Sequence, residues 1–535
     1  MRTNHRHVAA VALLAVVSLT GCGSTVALST REAVYGGSNP TGSGEPDGLG
    51  DPTGVAPTSP AGSAGVPSTT TAPPVGAGPA QPAGAGSSSL PTSIASSAAN
   101  PSGGGKTASA APTHAVHLPT TGRGWDAHNV YIGVMTVNDF GTAATALGAK
   151  AANPGNQQKD ALAMAALMNK QGGIFGRKVV VAFDNVSTAS LLVNAASDAS
   201  QACVHFTQDR PVIAVYNDIS PIDLPAFRSC FAQAKMPLFE ASIQSTSRSA
   251  LNLTNGYVTS LVSPTYTDMA PTFVDRLQAE HYFTGWNVTN GTAGSAPVKV
   301  AIIAENVPAD QQAAQVLSAA LARDGHPPVA QFNYTVGASG TTSNLSSAVL
   351  QFRSRGVTHV IGADAGTGAF MVQAQSQHYY PRYGVNTIDL PASSLTPDAP
   401  KKQLQGALGI GWYPTLDVGF AQDPGYLSPA DKACVAALKK SQSYTNLRFA
   451  FALGVAFCDG FGLIRAAVVA AGGLTGPDLV RGEAMAGPTY VPSGAFSSNL
   501  HAGDWAIPAS GRDLGWVVRC ACFHYLSKTD YAFAR

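Results

Sequence analysis

From Asn129 onward, short apolar runs alternate with amphipathic stretches, and the alternation runs through twice. Val130–Val137 reads as a buried strand and Gln157–Gln171 as a helix closed by Gly172-Gly173. The predicted order continues with strand Val179–Phe183, helix Val193–Phe206, strand Pro211–Tyr216, helix Pro225–Ala234 and strand Pro237–Glu240. It then restarts: helix Asp268–His281, strand Val298–Ala304, helix Gln311–Asp324 and strand Ala330–Thr335. Helix Leu345–Ser354, strand Val357–Gly362 and helix Ala369–His378 complete the second run. Strands joined by crossover helices must pair in parallel, with helices on both faces of the sheet. About 400 residues are too many for one ordinary core. The fold class expected is α/β, with two Rossmann-like lobes around parallel central sheets. The last third adds helices at Pro429–Ser441 and Arg448–Ala471, and Gly515–Leu526 looks strand-like. Cys458, Asp459 and Arg465 interrupt the apolar run Phe449–Ala471, which therefore reads as a buried core helix rather than a membrane span.

The first 120 residues follow different rules. Arg2, His5, Arg6 and His7 precede an uncharged stretch from Val8 to Thr20, the pattern of an export signal. Leu19-Thr20-Gly21-Cys22 resembles the lipobox of bacterial lipoproteins, which implies a signal peptide at 1–21 and lipidation, such as palmitate, of Cys22. Residues 22–120 are mostly Ser, Thr, Pro, Gly and Ala, too poor in apolar side chains to offset the entropy of folding. They are expected to form a disordered tether with a root-mean-square span on the order of 50–60 Å. Lys and Arg total 32 and Asp and Glu 31; loss of Arg2 and Arg6 with the signal leaves 30 against 31. So balanced a chain gives no electrostatic reason to expect nucleic acid.

Four stretches carry a wider likeness: Ile132-Gly133-Val134, the helix exit Met168 to Arg177 with its Asn169-Lys170-Gln171-Gly172-Gly173-Ile174, Lys299-Val300-Ala301-Ile302-Ile303, and Asn499-Leu500-His501-Ala502-Gly503-Asp504. In this order the chain resembles the type I periplasmic-binding-protein fold, specifically the Leu/Ile/Val-binding family of ABC transporter substrate-binding lipoproteins. The resemblance covers nearly all of residues 129–535. It implies a three-crossing hinge near Ser263, Pro414 and Pro492, with lobe 1 at 121–263 plus 415–491 and lobe 2 at 264–414 plus 492–535. It implies a ligand in the cleft between lobes, no cofactor, and delivery to an ABC permease.

Matched to that family, Asp218 falls where a serine holds the ligand carboxylate, with Ser242 and Gln244 on the next strand end. Ala309 and Ala365 fall where aromatic rings cover the ligand, and Asp389 where an acid pairs its amino group. A carboxylate at Asp218 would repel an amino acid's own carboxylate. With Asp139, Asn217, Glu305 and Asp364, these positions supply acceptors for a sugar, polyol, amide or amine. The competing role for each is a cap on a helix or turn. The resemblance also implies a Cys203–Cys230 disulfide, after which Cys434–Cys458 would join the late helices. Cys520 and Cys522, read as two residues apart on one strand, would make a strained bridge. Zinc at Cys520, Cys522 and His524 would lack a second ligand pair, so no metal is expected.

The sequence contains no Gly-x-Ser-x-Gly elbow, His-Glu-x-x-His or Walker loop, so a binding protein rather than an enzyme is expected. The reading is an extracytoplasmic, lipid-anchored solute-binding protein serving an ABC importer. The alternative is a non-transport sensor or cell-envelope scaffold on the same fold, which the long tether favours.

Overall fold

The computed structural model describes residues 118–137, 139–140, 153–219, 224–244, 246–335, 341–425, 428–441 and 447–534. Cys22, the leader and nearly all of the expected tether lie outside the described residues. The described residues begin before Asn129. Trp125 Nε1 donates to the Pro119 carbonyl at 3.2 Å, and Arg177 Nε donates to the Asp126 carbonyl at 2.8 Å. The first bond folds the entering segment on itself and the second fastens it to the Gly173–Arg177 turn.

The first sheet contains β1 (Asn129–Val137), β2 (Lys178–Val186), β3 (Ala214–Asn217), β4 (Leu238–Glu240) and β5 (Val258–Ser260). Their order is β2-β1-β3-β4-β5 and every pair is parallel. Both faces are buried, which is why these strands read as continuous apolar runs. On β3, for instance, Ala214 and Tyr216 join one core cluster while Val215 joins another. The helix predicted from Val193 begins at Thr188, because Ser187 caps it by accepting from Ser190 N at 3.1 Å.

A short hairpin, β6 (Trp286–Asn287) and β7 (Thr292–Ala293), precedes the second sheet. That sheet is built from β8 (Val300–Glu305), β9 (Ala330–Tyr334), β10 (His359–Gly362), β11 (Arg382–Asn386), β12 (Leu408–Gly411), β13 (Ser510–Val517) and β14 (Cys522–Tyr525). Its order is β14-β13-β12-β11-β10-β8-β9, with β15 (Tyr531–Ala532) on β13. The five strands β8 to β12 repeat the order of the first sheet and are parallel, while β13 and β14 run antiparallel. Both sheets fall within one compact unit.

Three passages connect the sheets and lie side by side. Trp412 Nε1 donates to the Val262 carbonyl at 2.9 Å, tying the first passage to the second. The third passage runs beside β5. Ser260 N donates to the Trp505 carbonyl at 2.9 Å and Ile507 N to the Ser260 carbonyl at 2.8 Å, so residues 505–507 still run along β5. The chain enters the second sheet only at Ser510. We therefore propose a lobe boundary near Ala509, with the hinge formed by these three strands of chain.

Helix Arg448–Ala471 is long and apolar enough to cross a membrane, but 78% of its most apolar window is buried within the fold. Phe457 stacks on Tyr216 with ring centroids 4.2 Å apart. Gly460 permits this close packing, since a Cβ there would meet the Tyr216 ring at 2.4 Å. Gly472, at φ 66°, ends the helix in the left-handed conformation that glycine adopts most easily.

The structure places bonded sulfurs at Cys203–Cys230 and Cys434–Cys458, with Cα atoms 6.4 and 5.9 Å apart. Cys520 and Cys522 are also joined, at a Cα separation of 5.2 Å. The expectation of one continuous strand there does not hold. Gly515–Leu526 is a hairpin, and Cys520 sits in its turn beside Ala521 at φ 50°, which brings the two sulfurs together.

Candidate functional site

In a sheet ordered 2-1-3-4-5, the crevice opens at the carboxyl ends of the strands, where neighbours leave the sheet in opposite directions. The cavity here lies at that point. Val137 ends β1, and Asp218 and Ile219 follow β3; Ala241 and Ile243 follow β4, and Phe140, Pro154 and Leu191 close that side. Ala365 after β10 and Leu390 after β11 face it from the second sheet, while Phe449 and Leu453 arrive from the long helix. The space is partly open to solvent and measures about 80 Å³. That is smaller than a cavity that accepts benzene, roughly 150 Å³.

Only two of the described lining residues offer polar side chains, Gln157 and Asp218. Gln157 opens its helix after the Asn156 cap, and Val137 N donates to its Oε1 at 2.9 Å. That bond fixes the amide orientation. Nε2 must then point the other way, and it donates to Asp218 Oδ2 at 2.8 Å. Asp218 is only 9% exposed, and its Oδ1 is buried without a partner. Burial pushes its carboxyl up to about 7, with the Gln157 bond opposing the shift.

The remaining polar candidates lie behind the cavity wall or away from it. Asn217 Oδ1 accepts from Ile219 N at 3.0 Å. Asp364 accepts from Gly366 N at 2.7 Å and from Glu305 N, and Asp389 accepts from Asn386 N at 2.7 Å. Asp139 is exposed and accepts from Thr188 N at 2.8 Å. Ser242 and Gln244 do not line the cavity, nor does Ala309. Asn217, Asp364 and Asp389 each secure a backbone N–H of the turn at a strand end, and Ile219, Ala365 and Leu390 close to them form the wall. Burial raises Asp364 to about 6 and Asp389 to about 8. Glu305 rises to about 9 through burial and the neighbouring Asp364 and Asp310 carboxylates. Phe140, Gln157, Phe449 and Leu453 were not identified from sequence. Gln157 alone left a usable sign, a polar residue just inside a helix that starts after Pro154-Gly155.

No protein-family model matches the chain, and no curated protein matches its sequence. Solved structures do. An ABC transporter substrate-binding protein from Desulfitobacterium hafniense, in complex with Leu, superposes with a TM-score of 0.51 at 16% identity, covering 75% of this chain and 100% of that one. A branched-chain amino acid ABC transporter protein from Thermus thermophilus with bound valine gives 0.53 at 13% identity, over 76% and 96%. This chain has the type I periplasmic-binding-protein fold. A solute-binding protein from R. palustris in complex with 4-hydroxybenzoate adds 0.52 at 14%, over 76% and 98%. The cavity beside Asp218 lies between the carboxyl ends of the parallel strands of the two sheets.

Proposed function

We propose that the chain is an extracytoplasmic solute-binding protein, anchored through lipidated Cys22, that closes its two lobes on a small molecule and presents it to an ABC permease. The observation that carries this is the cavity itself, walled from both sheets at their carboxyl ends, so a bound molecule would bridge the lobes and favour closure. The lining narrows the expectation of a polar solute. A sugar or polyol would leave most of its hydroxyls unpaired against Val137, Phe140, Leu191, Ile243, Leu390 and Phe449. An apolar body with one polar end suits the site better.

The detergent-solubilised full chain is expected to bind small branched aliphatic or aromatic solutes in calorimetry and to ignore sugars. A ligand at 100 times its Kd would add about 2.7 kcal/mol of stability. Sugar binding without aliphatic binding would overturn the ligand class. Silence across both classes would move the assignment to a non-transport sensor or scaffold, which the long tether supports. Cys22→Ala is expected to shift the chain from the membrane to the soluble fraction. Unchanged membrane association would remove the lipid anchor from the proposal.

A further inference from the structure

We propose that the cleft selects a small aliphatic or aromatic amine lacking a carboxylate, with its ammonium group paired to Asp218. The inference deepens the solute-binding assignment and rests on it. Asp218 Oδ2 is occupied by Gln157, whose amide cannot turn away because Val137 N holds its other end. Oδ1 is left without a partner in an apolar enclosure. An acceptor buried without a donor is costly, and a guest that brings a donor recovers that cost.

The surroundings decide which donor fits. Among the described lining residues none is Lys, Arg or His. Arg448, next to the lining Phe449, is turned away onto the Pro414 and Val418 carbonyls, at 2.9 and 2.7 Å, and onto Asp423. Directly behind the second-sheet wall, Asp364 and Asp389 precede the lining residues Ala365 and Leu390. A carboxylate guest would meet Asp218 with no cation among the described lining residues to neutralise either group. An ammonium would meet a carboxylate poised to accept, and the remaining wall would cover its hydrocarbon. The proteins solved with Leu and 4-hydroxybenzoate hold guests that carry a carboxylate, a group that Asp218 would repel here.

Three isosteres separate the possibilities: 3-methylbutylamine, 3-methylbutan-1-ol and 3-methylbutanoate, titrated by calorimetry into the detergent-solubilised full chain. The amine is expected to bind about tenfold or more tighter than the alcohol, with no binding of the carboxylate. Asp218→Asn keeps the shape and an acceptor for Gln157 Nε2. It should weaken the amine about tenfold and the alcohol by clearly less, with an unaltered circular dichroism spectrum reporting the fold. Equal binding of amine and alcohol, or preference for the carboxylate, would overturn the amine assignment and leave solute binding intact. Failure of all three would overturn both.

Discussion

Scanning calorimetry of the purified chain is expected to show a higher melting temperature at pH 5.5 than at pH 8.5, by on the order of 5 °C. The cause is an unusual load of buried acids. Burial raises Asp218, Asp417 and Asp459 to about 7, Asp389 and Glu483 to about 8, Asp364 to about 6 and Glu305 to about 9. Unfolded, each titrates near 4. Between about pH 4 and 9, therefore, the folded chain binds protons that the unfolded chain does not. The stability they contribute is complete below pH 4 and is lost as pH rises through each folded value. His359 acts in the opposite sense. Burial, with the Arg382 guanidinium adding to it, lowers His359 to about 3, so its contribution is lost as pH falls below 6.5. Seven acids against one histidine place the balance on the acidic side at pH 5.5. Glu305→Gln together with Asp389→Asn should flatten the profile. A melting temperature that rises toward pH 8.5, or a double variant with unchanged slope, would show that these acids are ionised in the fold.

The two sheets were legible in the sequence because parallel strands are buried on both faces and so appear as uninterrupted apolar runs, as in Val130–Val137 and Val298–Ala304. Helix starts were less legible. Ser187 gave a capping signal ahead of Thr188, but the apolar periodicity that draws attention begins later, at Val193. Of the polar residues picked out from sequence, Asp218 lines the cavity, and Asp364 and Asp389 each stand one residue before a lining residue. Asp364 and Asp389 were picked out for their chemistry, yet a polar side chain in the turn that follows a strand is drawn to the turn's own N–H groups, which leaves the next residue to form the wall. Asp218 differs because a second side chain, Gln157, takes one oxygen and leaves the other free. Phe449 and Leu453 reach the cleft from the far end of the chain, and an apolar run reports that a helix is buried without telling which face meets what.

The hinge gives the other large effect. Trp412→Ala is expected to cost about 3–5 kcal/mol in denaturant unfolding followed by circular dichroism, and Trp412→Phe about 1–3 kcal/mol. Trp412 is fully buried just after β12, where its indole crosses to the neighbouring passage and donates to the Val262 carbonyl. Its own N–H donates to Thr387 Oγ1 at 3.0 Å, and its ring meets Phe533 edge-on at 6.0 Å. One side chain therefore joins the end of the second sheet, the C-terminal segment and the chain leaving β5. Truncation to Ala removes the indole from a closely packed site and leaves a cavity. Replacement by Phe retains most of the apolar surface but orphans the Val262 carbonyl, so the difference between the two variants separates packing from the hydrogen bond. A Phe variant as stable as the parent would mean that the bond does not tie the passages together. The lobes would then be held in register by other links, among them the backbone pairing of Ser260 with Trp505 and Ile507 and the Arg248–Asp268 ion pair. Because Trp412 does not line the cavity, its effect on any ligand would act through the ease of closure rather than through contact.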